Sequence, residues 1–197
     1  WQDLPWAHDE PTLFLAEICE RRKPGRALDL GCGAGTDSVY LAKKGWDVTA
    51  LDFMPKALEF TQSRAKEAGV TVRPVEADIT EWVVPEPFDL VLDHGLLHNM
   101  DPLRYPASRE RVLKSIADDG DFVLLHWHPR YPGQPSGRMG PRRAPARRLW
   151  CRHGHAPDAV CQECQAAQAL DRRHHAVHRA DDRLQVLAMR RRIGSGQ

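Results

Sequence analysis

The chain has 197 residues, a net charge of +1, 42% hydrophobic residues and five cysteines. That length suits one α/β domain with a full core and leaves no room for a second of ordinary size. No apolar run approaches a membrane span and no charged-then-apolar leader is visible. The odd, uneven cysteines (Cys19, Cys32, Cys151, Cys161, Cys164) argue against a disulfide framework and predict a reducing cytoplasm. A start at Trp1 rather than methionine predicts a trimmed or processed N-terminus.

The overall balance conceals an asymmetry. Trp1 to Arg130 carries 15 Lys+Arg against 22 Asp+Glu, whereas from Tyr131 on there are 13 Arg, no Lys and 5 acids. A chain whose basic residue switches wholly to arginine is changing character. Residues 1–24 are expected to form an arm and helix acting as a lid. Residues 25–131 form a ligand-binding core, and 132–197 an atypical Arg/His-rich segment with one strand near 184–190.

Trp1 to Trp6 reads as a loose arm. Pro11, behind Asp9 as N-cap, opens a helix in which Phe14, Leu15, Ile18 and Cys19 recur at helical spacing. Lys23-Pro24-Gly25 ends it. An apolar strand, Ala27 to Leu30, then stops at Gly31, Gly33 and Gly35, and a helical pattern runs from Thr36 to Lys44 with Gly45 as its stop. Strand, glycine turn and helix together bring backbone amides close to a ligand at a helix N-terminus.

Asp47 to Phe53 is a second strand ending in Asp52. Pro55 opens a helix holding Leu58, Thr61, Ala65 and Ala68 on one face, closed by Gly69. Val70 to Val75 reads as a third strand leading to Asp78-Ile79, and Phe88 to Gly95 as a fourth. A helix follows from Arg109 to Ala117; Asp119-Gly120 then turns into a fifth strand, Phe122 to His128. This alternation predicts an α/β fold: a doubly wound, mostly parallel, Rossmann-like sheet with helices on both faces. Right-handed crossovers gather the strand ends on one edge.

A dinucleotide turn wants G-x-G-x-x-G. Counting from Gly31 the third position is Thr36, and from Gly33 it is Ser38, so the register fails both ways. A nicotinamide oxidoreductase is therefore the disfavoured rival. D-L-G-C-G-A-G followed by the strand-end acid Asp52 instead resembles the class I S-adenosylmethionine-dependent methyltransferases, over roughly Trp6 to Arg130. The arm LPWAHDEPTLFL resembles the lid of the small-molecule type, the thiopurine, tellurite-resistance and quinone-ring methylases.

The resemblance implies a cofactor, S-adenosyl-L-methionine, and a place for each part of it. Gly31, Gly33 and Gly35 would wrap its methionine end, with Asp29 helping to hold the amino group. Asp52 would hold the ribose hydroxyls, and Phe53 or Met54 would cover a face of the adenine. Asp78 would accept from the adenine amino group, with the Ile79 amide facing a ring nitrogen. His94 would line the methionine arm through its backbone, and Trp6 would cover cofactor or acceptor. The resemblance also implies a final antiparallel hairpin completing seven strands. One of that pair is hard to find here, which predicts an incomplete C-terminal edge.

Methyl transfer needs alignment and a dry pocket, and a base only where the acceptor carries a proton. His98, after the fourth strand, and His126, near the end of the fifth, are the candidates, since neutral imidazole is poised near pH 7. The family's DNA-base methylases carry N-P-P-Y or D-P-P-Y where this chain has Asp93-His94-Gly95-Leu96. A small-molecule acceptor is expected, and neither nucleic acid nor membrane. Cys32, inside the turn with no neighbouring base in sequence, reads as a small core-directed side chain rather than a nucleophile.

In the tail, Cys161-Gln-Glu-Cys164 with Cys151 and several histidines offers zinc-ligand types without a recognised spacing, so no metal is assigned. The stretch from about Gly137 to Ala180 has the Arg, Ala, Pro, His and Cys excess of a GC-rich gene read out of frame. Against the enzyme readings stands a cofactor-binding but inactive module.

Overall fold

The computed structural model describes residues 10–127, 180–181 and 184–190. Five strands run parallel: β1 (Arg26–Leu30), β2 (Asp47–Asp52), β3 (Arg73–Glu76), β4 (Phe88–His94) and β5 (Ile116–Trp127). Two antiparallel strands, β6 (Ala180–Asp181) and β7 (Leu184–Arg190), complete a seven-stranded sheet in the order β3-β2-β1-β4-β5-β7-β6. The strand expected near 184–190 is β7, and its elusive partner is the two-residue β6. The remainder of 132–197, with the zinc-type residues and most of the 137–180 stretch, lies outside the described residues.

Among the described residues, four helices flank the sheet: α1 (Leu13–Arg21), α2 (Thr36–Lys43), α3 (Pro55–Glu67) and α4 (Tyr105–Ser115). Strand side chains alternate between faces. Ala27, Val48, Ala50, Leu90, Leu92, Val123 and Leu125 join Leu15, Val39, Leu41, Leu58 and Ala65 of α1, α2 and α3 in one core. Leu28, Leu30, Leu51, Val91, Phe122 and Leu124 join Val112 of α4 in the other. Each fully buried leucine contributes about 1.5–3 kcal/mol, so both sheet faces are firmly held.

Several boundaries differ from the sequence reading for local reasons. Helix α1 starts at Leu13, with Thr12 rather than Asp9 at its N-cap, and the Thr12 amide donates to Asp37 Oδ1 at 3.1 Å. Strand β3 starts at Arg73, because the Val70 amide is taken by the Ala65 carbonyl closing α3 (2.9 Å). Helix α4 starts four residues early, since Pro106 lies in the first turn, where no amide is needed. Strand β5 runs on from Ile116: its register slips between Phe88↔Ile116 and Leu90↔Asp121, so the polar Asp118-Asp119-Gly120 is a bulge rather than a turn.

Two left-handed glycines test this packing. A Cβ on Gly35 (φ +78) would meet Thr61 Oγ1 at 2.5 Å and Thr61 Cα at 2.8 Å, whereas one on Gly69 (φ +68) would meet nothing within 4 Å. Gly69→Ala should cost about 1 kcal/mol of left-handed strain and Gly35→Ala about 2–4 kcal/mol, because overlap with the α3 backbone adds to it. Denaturant midpoints at unchanged m-value check the difference; equal losses would refute it.

Candidate functional site

The strand alternation that fills the two cores also places the site. Asp29 and Asp52 lie on the face packed against α1, α2 and α3, at or beside the carboxyl ends of adjacent strands. This is the edge where open α/β sheets bind ligands. Asp52 is buried at 7% exposure, yet the next residues, Phe53 and Met54, are 62% and 49% exposed. Asp52 Oδ2 accepts from the Gly33 amide at 3.0 Å and Oδ1 from the Met54 amide at 2.9 Å. A carboxylate has about four acceptor positions, so two bonds leave capacity for a diol.

The glycine turn does less hydrogen bonding toward a ligand than its sequence suggests. The Gly31 and Cys32 amides both donate to the Leu51 carbonyl, at 2.8 and 3.1 Å, and the Gly35 amide donates to the Cys32 carbonyl at 2.8 Å. With Gly33 on Asp52, four amides of the turn are already committed inside the protein. A pyrophosphate site depends on such amides being offered to the anion. This turn instead supplies a closely approached backbone surface, suited to a ligand without phosphate. Its glycines at 31, 33 and 35 all have positive φ.

Behind the turn lies a buried polar cluster. Asp29, 2% exposed, accepts from Ser38 Oγ at 2.6 Å. Burial first, then the Asp37 charge, raise its pKa from 3.8 to about 7, against the Ser38 bond. Asp37, 4% exposed, takes the Thr12 amide on Oδ1 and His94 Nδ1 on Oδ2, the latter at 2.8 Å. Burial alone would lower the His94 pKa, but its hydrogen bond to Asp37 and the charges of Asp37, Asp29 and Asp93 outweigh that and raise it. The role of Asp37 was not read from the sequence. The available signal was an acid in the first turn of a helix, which favours it there.

Asp78, at the β3 end, caps its own turn: Oδ1 accepts from the Thr80 amide (2.9 Å) and hydroxyl (2.7 Å). Its Oδ2 accepts from Arg104 Nη2. Partial burial would raise its pKa, but the Arg104 and Thr80 bonds outweigh this and hold it below the usual carboxylate value. Arg104, 26 residues away in sequence, had no local signal. Ile79, 3% exposed, belongs to the core on the α4 face.

Cys32 points into the structure as expected, 3.5 Å from Thr61 Oγ1, and burial drives its thiol pKa upward, away from nucleophile chemistry. His98 lies in a 3-10 turn, η1 (Leu97–Asn99), and His126 pairs with Gln185 across β5 and β7. Trp6 lies outside the described residues. Among the described residues no group of three or more His, Cys, Asp or Glu could hold a metal, and no helix is long and apolar enough to cross a membrane.

The family described as "Methyltransferase domain" matches residues 27–120, which span β1 to the bulge of β5. The core is similar to the methyltransferase domain family. Its methyltransferase relatives include the 2-heptyl-1-hydroxyquinolin-4(1H)-one methyltransferase of Mycobacteroides abscessus, 27% identical over 124 residues, covering 61% of this chain and 55% of that protein. Thiocyanate methyltransferase 1 of Brassica oleracea is 29% identical over 133 residues, covering 64% of this chain and 58% of its own. The chain thus spans under three fifths of the length of these curated relatives. Among solved methyltransferases, the N-methyltransferase NodS of Bradyrhizobium japonicum, in complex with S-adenosylhomocysteine, superposes with a TM-score of 0.69 at 19% identity. That match covers 96% of this chain and 92% of the other, and it is a likeness of fold.

The cluster behind the turn makes stability of this core pH-dependent. With its pKa raised to about 7, folded Asp29 binds more protons than the unfolded chain between pH 4 and 7, so its contribution falls as pH rises through that window. His94 has the same sign: its contribution is whole below about pH 6.5 and is lost as pH passes its raised folded value. Asp29→Asn should remove the carboxylate part. Wild type minus variant should change by roughly 2–4 kcal/mol between pH 4.5 and 7, measured by denaturation. Parallel stability curves would contradict the assignment.

Proposed function

We propose that the protein transfers a methyl group from S-adenosyl-L-methionine to a sulfur, oxygen or nitrogen atom of a small-molecule acceptor. The observation that carries the reading is Asp52. It is a buried strand-end carboxylate with spare acceptor capacity, bonded to the glycine turn on one side and followed by two exposed apolar residues on the other. The committed amides of the turn support a nucleoside without phosphates. The match of residues 27–120 to the methyltransferase domain family supports the chemistry, and the relatives named above act on a quinolone and on thiocyanate by their names.

When bound, the cofactor supplies an electrophilic methyl group on a sulfonium. The chain's own residues align and enclose it. Strand order supports one direction: with a sugar on Asp52 of β2, an amino-acid end directed to the turn after β1 leaves the base to lie toward β3. Gly31, Gly33 and Gly35 would shape the methionine end, Phe53 and Met54 cover the base, and Asp78 and Ile79 meet its edge. Asp29 acts from behind the turn and His94 flanks the arm. We place the acceptor between the arm carrying Trp6, as lid, and the histidines His98 and His126. Either could take a proton from a thiol, phenol or amine as the methyl group arrives. The setting is a reducing cytoplasm.

Asp52→Ala should weaken S-adenosylhomocysteine binding by about 3 kcal/mol, more than a hundredfold in Kd, since bonds to a charged acceptor contribute about 1.5–3 each. Calorimetry reads this, with NADH as the comparison ligand. Unchanged affinity, or tighter NADH binding, would refute the placement. Replacing His98 and His126 separately with Asn should shift the acid limb of the rate–pH profile in the variant that lost the base; an unmoved limb in both removes that role.

A further inference from the structure

The segment between β4 and α4 runs along the binding rim as a strap. At its root, Asp93 Oδ1 accepts from the Leu96 and Leu97 amides at 2.8 and 3.3 Å. There Leu96 presses on the glycine turn so closely that a Cβ on Gly31 would meet Leu96 Cβ at 3.0 Å. In its middle, Leu97 and Met100 pack on the α4-side core, and Asp101 caps the 3-10 turn η2 (Pro102–Arg104) through the Leu103 amide at 3.0 Å. At its far end Arg104 Nη2 reaches both Asp78 Oδ2 and Thr80 Oγ1, the latter at 2.7 Å. From β4 to β3 the order β4-β1-β2-β3 is three strand steps, about 14 Å. The strap therefore spans the rim from the turn to the end where the base would lie, and one guanidinium fastens it.

We infer that Arg104 is the residue that sets base selectivity, acting through Asp78 as a positioning residue. This rests on the reading that a purine lies between Phe53/Met54 and the β3 end. Asp78 spends one oxygen on Thr80 and the other on Arg104, so its carboxylate is held in one orientation and in its ionised, acceptor-only form. An acceptor so fixed suits a purine bearing an amino group and repels one bearing an oxo group at the same edge. Without the guanidinium, Asp78 keeps only its Thr80 bonds and can turn to relieve that repulsion. Both bonds come from the one nitrogen Nη2, so a single corner of the guanidinium holds carboxylate and hydroxyl together. Arg104 is exposed, and exposed ion pairs contribute little to stability, so its loss leaves the fold intact.

The test compares affinities for S-adenosylhomocysteine and S-inosylhomocysteine, which differ in amino against oxo on the base and, with it, in N1 as acceptor against N–H donor, by calorimetry on the full chain. Wild type should prefer the adenosyl ligand by about thirtyfold or more, and the preference should shrink as salt screens the exposed pair. Arg104→Ala should lose most of the ratio, to about threefold, mainly by binding the inosyl ligand better. Arg104→Lys should fall between, and Asp78→Asn should lose the ratio outright. A wild-type ratio in Arg104→Ala, with Asp78→Asn collapsed, would overturn the role of Arg104 while leaving the base at Asp78. A wild-type ratio in both would overturn the proposal by removing the base from that edge. Failure of wild type to bind either ligand would overturn the nucleoside reading itself, and the proposal with it.

Discussion

The bond between the Asp52 carboxylate and the Gly33 amide is the constraint on which the site depends. It joins the end of β2 to the turn after β1, and its second oxygen fixes the residue that starts α3's approach, Met54. One buried acid therefore sets the distance between two strand ends, the shape of the turn and the entry of a helix. Only a backbone without a Cβ can sit that close: Gly35 lies against Thr61 of α3, and the Thr61 hydroxyl donates back to the Gly33 carbonyl at 3.1 Å. With the turn's amides spent in this way, the turn has few backbone donors left to offer a phosphate.

The same edge collects charge that a core would not tolerate unpaired. Asp29, Asp37, Asp52 and Asp93 are all below 9% exposed, and each has a donor: Ser38, Thr12 with His94, the Gly33 and Met54 amides, and the Leu96 and Leu97 amides. Buried carboxylates without such partners would be strongly destabilising. The partners come from α1, α2, β4 and the loops between, so the polar layer ties together elements that the two apolar cores hold only from below. In this way the start of the first described helix is bonded, through Thr12 and Asp37, to His94 at the end of β4.

Much of this was legible in sequence because it is local. The strand cores, the glycine turn and the acids at strand ends follow from period-two apolarity broken by glycine, and β7 stands out from its surroundings by LQVLAMR alone. What was not legible depends on partners distant in the chain. Asp37 meets His94 57 residues away, and Arg104 meets Asp78 26 residues away. Nothing at either end announces the other. The β5 bulge reads as a turn because Asp-Asp-Gly has turn composition, and only its pairing with Phe88 and Leu90 keeps it in the sheet. The tyrosine–proline start of α4 misleads in the same way, since a helix breaker at an interior position is acceptable in a first turn.

Crystals of the protein soaked with S-adenosylhomocysteine test the central claim most directly. The account predicts both ribose hydroxyls at about 2.6–3.0 Å from the Asp52 carboxylate, with the bond to Gly33 retained and the amino-acid end against the three-glycine turn. Density for the nucleoside elsewhere, or an Asp52 bonded to its two amides alone beside an ordered ligand, would contradict it.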